Sequence, residues 1–298
     1  MTAEASLVAA DLVAAASAPA ALSPAALLSA DSANADLERR FGGLRRLYGE
    51  KGYRRLRAAS VAVVGLGGVG SWAAEALARC GVARLVLFDL DHVSASNINR
   101  QVQASGATLG VHKGQALRER FADIHPGCDV HVVDAFVEPG KWPALLTVPV
   151  DVLIDACDQA RAKLTLASWA RQANVALVCV GAAGGKRQAQ CVEVADLAEV
   201  THDPLLAGLR QRLRKETGAP RSGAMGLRCV FSREPVQAPL DVFGTEASTE
   251  ARTEASTEAI TDGSLNCNGY GSTVTVTATF GMVAAGEAIQ QLLAARPR

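Results

Sequence analysis

Apolar positions along this chain come in two rhythms. Short β-branched runs alternate with longer stretches in which apolar residues recur at helical spacing, and that alternation predicts an α/β protein. Val61–Val64 reads as a buried parallel strand, Ser71–Cys80 as a helix stopped by Gly81, and Arg84–Phe88 as the next strand. A further helix opens at Lys113. Asp129–Ala135, Asp151–Ala156 and Val175–Val180 read as strands, with a helix over Gln159–Gln172 between the last two. Gln190–Val194 alternates as another strand. Asp203–Glu216 then puts Leu205, Leu206, Leu209 and Leu213 on one helical face. Between Asp262 and Glu287, 24 residues carry no charge. Asn266, Asn268 and several Ser, Thr and Gly make that a poor membrane span, so a loop leading into a buried helix is expected.

Two segments break the rhythm. Residues 1–36 are rich in Ala, with no basic residue before Arg39, which makes a poor secretory signal and suggests a loosely helical or flexible extension. Residues 245–261 repeat TEAS, TEAR, TEAS and TEAI, polar low complexity that reads as an expanded surface loop. One domain is therefore expected over residues 37–292, carrying that insertion. Arg39–Arg57 is dense in arginine around Phe41, Leu44, Leu47 and Tyr48. It reads either as a solvated helix face or as the source of an arginine that reaches a nucleotide, in this subunit or a partner.

Composition adds bounds. At 298 residues and 49% hydrophobic content the chain has material for one large core. Lys plus Arg and Asp plus Glu each count 30, so any nucleic-acid surface must be a local patch. Seven cysteines without a C-x-x-C spacing suit reduced thiols and a cytoplasmic setting.

The candidate chemistry begins in the first strand-turn-helix unit. Gly65, Gly67 and Gly70 form G-x-G-x-x-G with an extra Gly68, placing bare backbone and a helix N-terminus where an anion would lie. Asp89 ends the next strand, at the distance where an acidic side chain binds ribose hydroxyls. Those features alone favour a nicotinamide-dependent oxidoreductase. Arg100 and Lys113 shift the balance, because a triphosphate losing pyrophosphate needs cations beside it. Asp155 and Asp158, at the carboxyl end of a strand, could hold Mg²⁺ or orient a nucleotide; alternatively Asp158 caps the following helix. GAAGGK ends in Lys186 and forms a second glycine-rich turn. Arg210, Arg212, Arg214 and Lys215, with Arg221 beyond, make a basic patch that is either a phosphate-backbone contact or a solvated face.

Together GLGGVG, DLD, SNINRQ, G-x-x-K and D-x-x-D resemble the ubiquitin-activating-enzyme-like superfamily across roughly residues 40–290. The resemblance implies a doubly wound, Rossmann-like, mostly parallel sheet with helices on both faces, a homodimer, and adenylation of a carboxylate with ATP and Mg²⁺. It implies that Gly65, Gly67, Gly68 and Gly70 form the phosphate loop and that Asp89 is the ribose ligand. Asn97 and Arg100 would contact the nucleotide, Lys113 the phosphates and Asp158 the magnesium. Gln159 departs from the Asn usual after that aspartate. RFGGLRRLYG, GVGSWAAEALARCG, DPLLAGLRQRLRKE and TVTATFG are similar to the bacterial tRNA threonylcarbamoyladenosine dehydratase family, whose members close the threonyl group beside a tRNA anticodon into a ring with loss of water. A sulfur-transfer adaptor remains as an alternative, with Cys267 as acceptor and a sulfur-relay protein as partner; direct cyclisation requires no thiol.

Overall fold

A computed structural model describes residues 35–238 and 270–295. The expectations for residues 1–34, for the repeat at 245–261 and for Cys267 lie outside the described residues. Contacts divide the chain into residues 1–40 and 41–298. The described part of the first unit is helical, and within it Asp36 pairs with Arg39 and Arg40 at 3.3 and 2.6 Å.

The second unit is built on a seven-stranded sheet ordered β3-β2-β1-β4-β5-β7-β6. The strands are β1 (Ser60–Val64), β2 (Arg84–Phe88), β3 (Asp129–Val133), β4 (Val152–Asp155), β5 (Ala176–Val180), β6 (Val192–Asp196) and β7 (Arg228–Ser232). All neighbours are parallel except β6 and β7. The helices are α1 (Gly43–Leu56), α2 (Gly70–Arg79), α3 (Lys113–Ile124), α4 (Ala160–Ala173), α5 (Pro204–Glu216) and α6 (Val274–Ala294). Alternation along β1 shows how the core is divided: Val61 and Val63 join one apolar cluster with Leu77, Leu117 and Phe280, whereas Ala62 and Val64 join another with Leu166 and Leu209. Helices α2, α3 and α6 thus cover one face and α4 and α5 the other, as a sheet buried on both sides requires.

The expected elements lie within a residue or two of the observed ones, with three differences. β6 starts at Val192 because Ala189–Cys191 form a 3₁₀ turn. β7 lies where the sequence marks no element: buried on both faces like β1 and β4, its RCVFS has a single β-branched residue in place of their Val- and Ile-rich runs. Asp158 does not cap α4, whose N-cap is Gln159 without a side-chain bond. Asp203, in contrast, caps α5 by accepting from the Leu206 N–H at 2.9 Å. No described helix is long and apolar enough to cross a membrane. α1 is interrupted at Gly49, whose φ of 71° leaves the helical region. Two of its arginines pack within the helix: Arg45 lies over the Tyr53 ring at 4.4 Å and Arg54 pairs with Glu50 at 2.5 Å, while Arg55 donates to the Ala295 carbonyl.

One ion cluster locks α2 to α3. Glu75, 3% exposed, pairs with Arg79 at 2.8 Å and with Arg120 of α3. Burial by itself would raise its carboxyl, but bonds and charge from Arg120 and Arg79 outweigh that and hold it below the ordinary glutamate range. A depressed folded pKa contributes stability above the unfolded pKa that is lost as pH falls through the folded one. Glu75→Gln is therefore expected to cost about 2 kcal/mol at neutral pH, discounted for the exposed arginines. In urea titrations the gap to wild type should close as pH drops below the ordinary glutamate value. A gap that stays constant with pH would show that packing rather than charge is lost.

Candidate nucleotide site

Strand order reverses between β1 and β4, and ligands of open α/β sheets bind in the crevice outside such a point. A cavity of about 690 Å³ lies there. The glycines make it possible. Gly65 has φ +85°, and a Cβ added to it would meet the Ala156 and Cys157 backbone at 3.0 Å. A Cβ on Gly70 would sit 1.8 Å from the Gly65 carbonyl oxygen, so only glycine lets α2 start directly against the strand end. Gly67 and Gly68 line the cavity itself.

Polar side chains pin this loop from below. The Leu66 N–H donates to Asp89 Oδ2 at 2.6 Å, and Gln103 Nε2 donates to the Leu66 carbonyl at 3.0 Å. Asp89 Oδ1 accepts from the Asp91 N–H at 2.9 Å. A carboxylate has lone pairs beyond these two bonds, so Asp89 can brace the loop and still face a ribose.

All the nucleotide-binding residues expected from the sequence line the cavity except Gly70, whose task is the close approach just described. Asn97 is buried, and its Oδ1 accepts from the Ser94 N–H at 3.0 Å, fixing the turn that carries Arg100. Arg100 is half-buried, and its Nη1 donates to the Ser96 carbonyl at 2.6 Å and to Asn99 Oδ1 at 3.1 Å. Lys113 is buried at the start of α3, with Nζ 2.6 Å from Asp91 Oδ2 and 3.8 Å from Asp89 Oδ1. The bridge between His92 and His112 brings these segments together. Asp91, the second carboxylate of DLD, is thus the lysine's partner, a role its sequence position two residues past Asp89 did not show.

Asp155 and Asp158 occupy different environments. Asp155 is wholly buried beside Lys163, 3.1 Å away, and accepts from the thiols of Cys157 and Cys179 at 2.9 and 3.3 Å, so it is no metal ligand. Lys163 Nζ also donates to the Val180 carbonyl at 2.7 Å, tying the ends of β4 and β5 beneath the cavity. Burial would push that ammonium down, but Asp155 dominates and holds it above its ordinary value. Asp158 lines the cavity. Desolvation raises its carboxyl and the Asp91 charge adds to this, with Lys163 and Lys113 opposing. Among the described residues no group of three or more His, Cys, Asp or Glu could cage a metal. Asp158, on the cavity wall, fits Mg²⁺ held chiefly by phosphates, the usual arrangement for that ion.

The second glycine-rich turn forms the opposite wall through Gly181–Gly184. Asp203 Oδ2 accepts from the Ala182 N–H at 2.8 Å. Lys186 is buried and donates to the carbonyls of Ser232 and Glu234 at 3.2 and 2.7 Å, so it holds the wall rather than facing a ligand. The basic helix is also less available than its sequence suggests. Arg210 turns inward to the Leu197 and Val200 carbonyls at 3.0 and 2.8 Å, Arg212 pairs with Glu216 at 3.1 Å, and Arg214 donates to the Pro220 carbonyl. Lys215 and Arg221 stay exposed. No arginine of residues 41–57 lines the cavity.

The sequence profile of the ThiF family matches residues 40–298. A tRNA threonylcarbamoyladenosine dehydratase of Escherichia coli (strain K12) is 40% identical over 265 residues, 87% of this chain and 95% of that one. The Haemophilus influenzae dehydratase is 36% identical over 259 residues, 86% and 94% of the two chains. A crystal structure of the E. coli tRNA N6-threonylcarbamoyladenosine dehydratase in complex with AMP superposes with a TM-score of 0.74 at 38% identity, covering 86% of this chain and 95% of that one. The same protein in complex with ATP gives 0.73 at 37% over the same shares. The chain belongs to the ThiF family, among the tRNA threonylcarbamoyladenosine dehydratases.

Proposed function

We propose that this protein uses ATP to activate the threonyl carboxylate of threonylcarbamoyladenosine in tRNA and closes it into a ring with loss of water. The observation that carries this is the convergence of the glycine loop, Asp89, Arg100, Lys113 and Asp158 on one cavity, in a chain of this family. A carboxylate is a poor electrophile because its leaving group would be oxide. Attack of the carboxylate oxygen on the α-phosphorus forms the acyl adenylate and expels pyrophosphate. A carbamoyl N or O then attacks the acyl carbon, and AMP departs. The nucleophile lies within the substrate, so effective molarity is high, on the order of 10⁵ M or more in well-oriented cases, and no protein thiol is required.

Within that scheme the backbone of Gly65–Gly68 and the N-terminus of α2 cradle phosphate, and Asp89 takes the ribose. Arg100 and Lys113 stabilise charge developing on the α-phosphate and the departing pyrophosphate; a ligand would draw Arg100 from its carbonyl contact and Lys113 from Asp91. Asp158 would hold Mg²⁺, which neutralises phosphate charge when bound. A nicotinamide reaction needs neither cation there, and a sulfur adaptor needs an acceptor thiol. Lys215 and Arg221 offer the exposed charge for the tRNA backbone. The protein works as a homodimer, with exposed Ile98, Leu109 and Met282 as apolar surface to cover, and any arginine of residues 39–57 that meets a nucleotide does so in the partner subunit. It acts in the cytoplasm, in keeping with six free thiols among the described residues.

Incubation with ATP, Mg²⁺ and tRNA bearing the linear modification should remove the mass of one water from the nucleoside and release AMP and pyrophosphate. Linear nucleoside recovered unchanged, from protein that binds ATP, would overturn the assignment. Arg100→Ala and Lys113→Ala should each lower turnover by about 10²–10³ with little change in melting temperature; near wild-type turnover at saturating ATP would remove that residue from the chemistry. Gly70→Ala should abolish ATP binding measured by calorimetry, because its methyl meets the Gly65 oxygen; retained affinity would mean that the loop can relax.

A further inference from the structure

The TVTATFG segment, residues 275–281, opens α6, and nothing in the reaction above uses it. Gly281 explains where the helix lies. A Cβ there would sit 2.5 Å from the Val69 carbonyl oxygen and 2.8 Å from Trp72 Cβ, so α6 meets the start of α2 at a distance only glycine permits. One turn earlier on the same face is Thr277. It meets the phosphate loop: a Cβ on Gly68 would lie 3.2 Å from Thr277 Cβ and Cγ2, and equally 3.2 Å from Arg100 Cγ.

Thr277 lines the cavity, is 3% exposed, and its hydroxyl has no hydrogen-bond partner among the described residues. A buried hydroxyl without a partner destabilises a fold, and valine would fill the same space without that cost. Ser272, just before the helix, also lines the cavity, so the N-terminal, positive end of a 21-residue helix lies at the same wall. We infer that Thr277 is a further binding residue of this site, its hydroxyl donating to an anionic oxygen that the reactants bring against Gly68, either a phosphoryl oxygen of ATP or the acceptor carboxylate. This rests on the adenylating reaction proposed above.

The test uses the full chain with Thr277→Val and Thr277→Ser. Without nucleotide, T277V should melt no lower than wild type, because an unpartnered hydroxyl has been removed. T277S should retain wild-type kinetics. If the oxygen is phosphoryl, T277V loses about tenfold or more in ATP affinity measured without tRNA, as expected for a hydrogen bond to a charged group. If it is the carboxylate, ATP affinity holds and turnover of modified tRNA falls by a similar factor. Equal ATP affinity and equal turnover in T277V and wild type would overturn the inference, as would a lowered melting temperature, which would mark the hydroxyl as structural. Should wild type bind ATP yet leave the tRNA unchanged, the dehydratase assignment fails separately; in that event an unchanged ATP affinity in T277V removes this inference as well.

Discussion

Contact between Gly70 and the Gly65 carbonyl is the constraint on which the site depends. With 1.8 Å available to a Cβ, the turn from β1 into α2 can be no wider than bare backbone allows. That tightness starts α2 directly at the strand end beside the cavity, and it needs support because a loop of glycines has much conformational entropy to lose. The support is polar and specific: Asp89 accepts the Leu66 N–H, and Gln103 reaches the Leu66 carbonyl. On the far side Gly281 lets α6 press against Val69 and Trp72. The phosphate loop is therefore held from the sheet, from the following loop and from the last described helix at once.

Charge in this structure divides into what is sealed and what is left facing the cavity. Asp155 and Lys163 are both fully buried, each compensating the other, and a buried pair of this kind offsets its desolvation only with good geometry and extra bonds. Those bonds come from the Val180 carbonyl and two thiols, which fasten the strand ends forming the cavity floor. Three residues on, Asp158 has no ion-pair partner among the described residues and lies on the cavity wall, where burial raises its carboxyl. The contrast explains how two aspartates of one short motif differ: one is sealed against Lys163 and the other lies on the cavity wall.

A similar division runs through the lysines and arginines. Lys113 is held beside Asp89 and Asp91, with Asp91 keeping its ammonium in place at the cavity. Lys186 and Arg210 point inward to backbone carbonyls and stabilise the second wall. Counting cations in a segment therefore overstates what a polyanionic substrate can meet, because a long basic side chain bonds a free carbonyl wherever one is within reach.

The sequence by itself determined the sheet's general plan and most of the nucleotide half. β-branched runs, glycine spacing and helix-compatible intervals are local properties, and residues 61–113 carry them in order. Its motifs also pointed to Asp89, Arg100, Lys113 and Asp158, and the family resemblance added Asn97; all five line the one cavity. Tertiary structure alone decided which of the paired aspartates is sealed, since burial depends on Lys163 of α4 reaching back under β4. It alone made Asp91 the partner of Lys113, 22 residues away, and turned Arg210 toward the chain. β7 was hidden because RCVFS lacks both the alternation of a half-buried strand and the β-branched run that marks β1 and β4. Thr277 is the furthest case: 209 residues separate it from Gly68 along the chain, and only helix packing through Gly281 brings its side chain against the glycine loop.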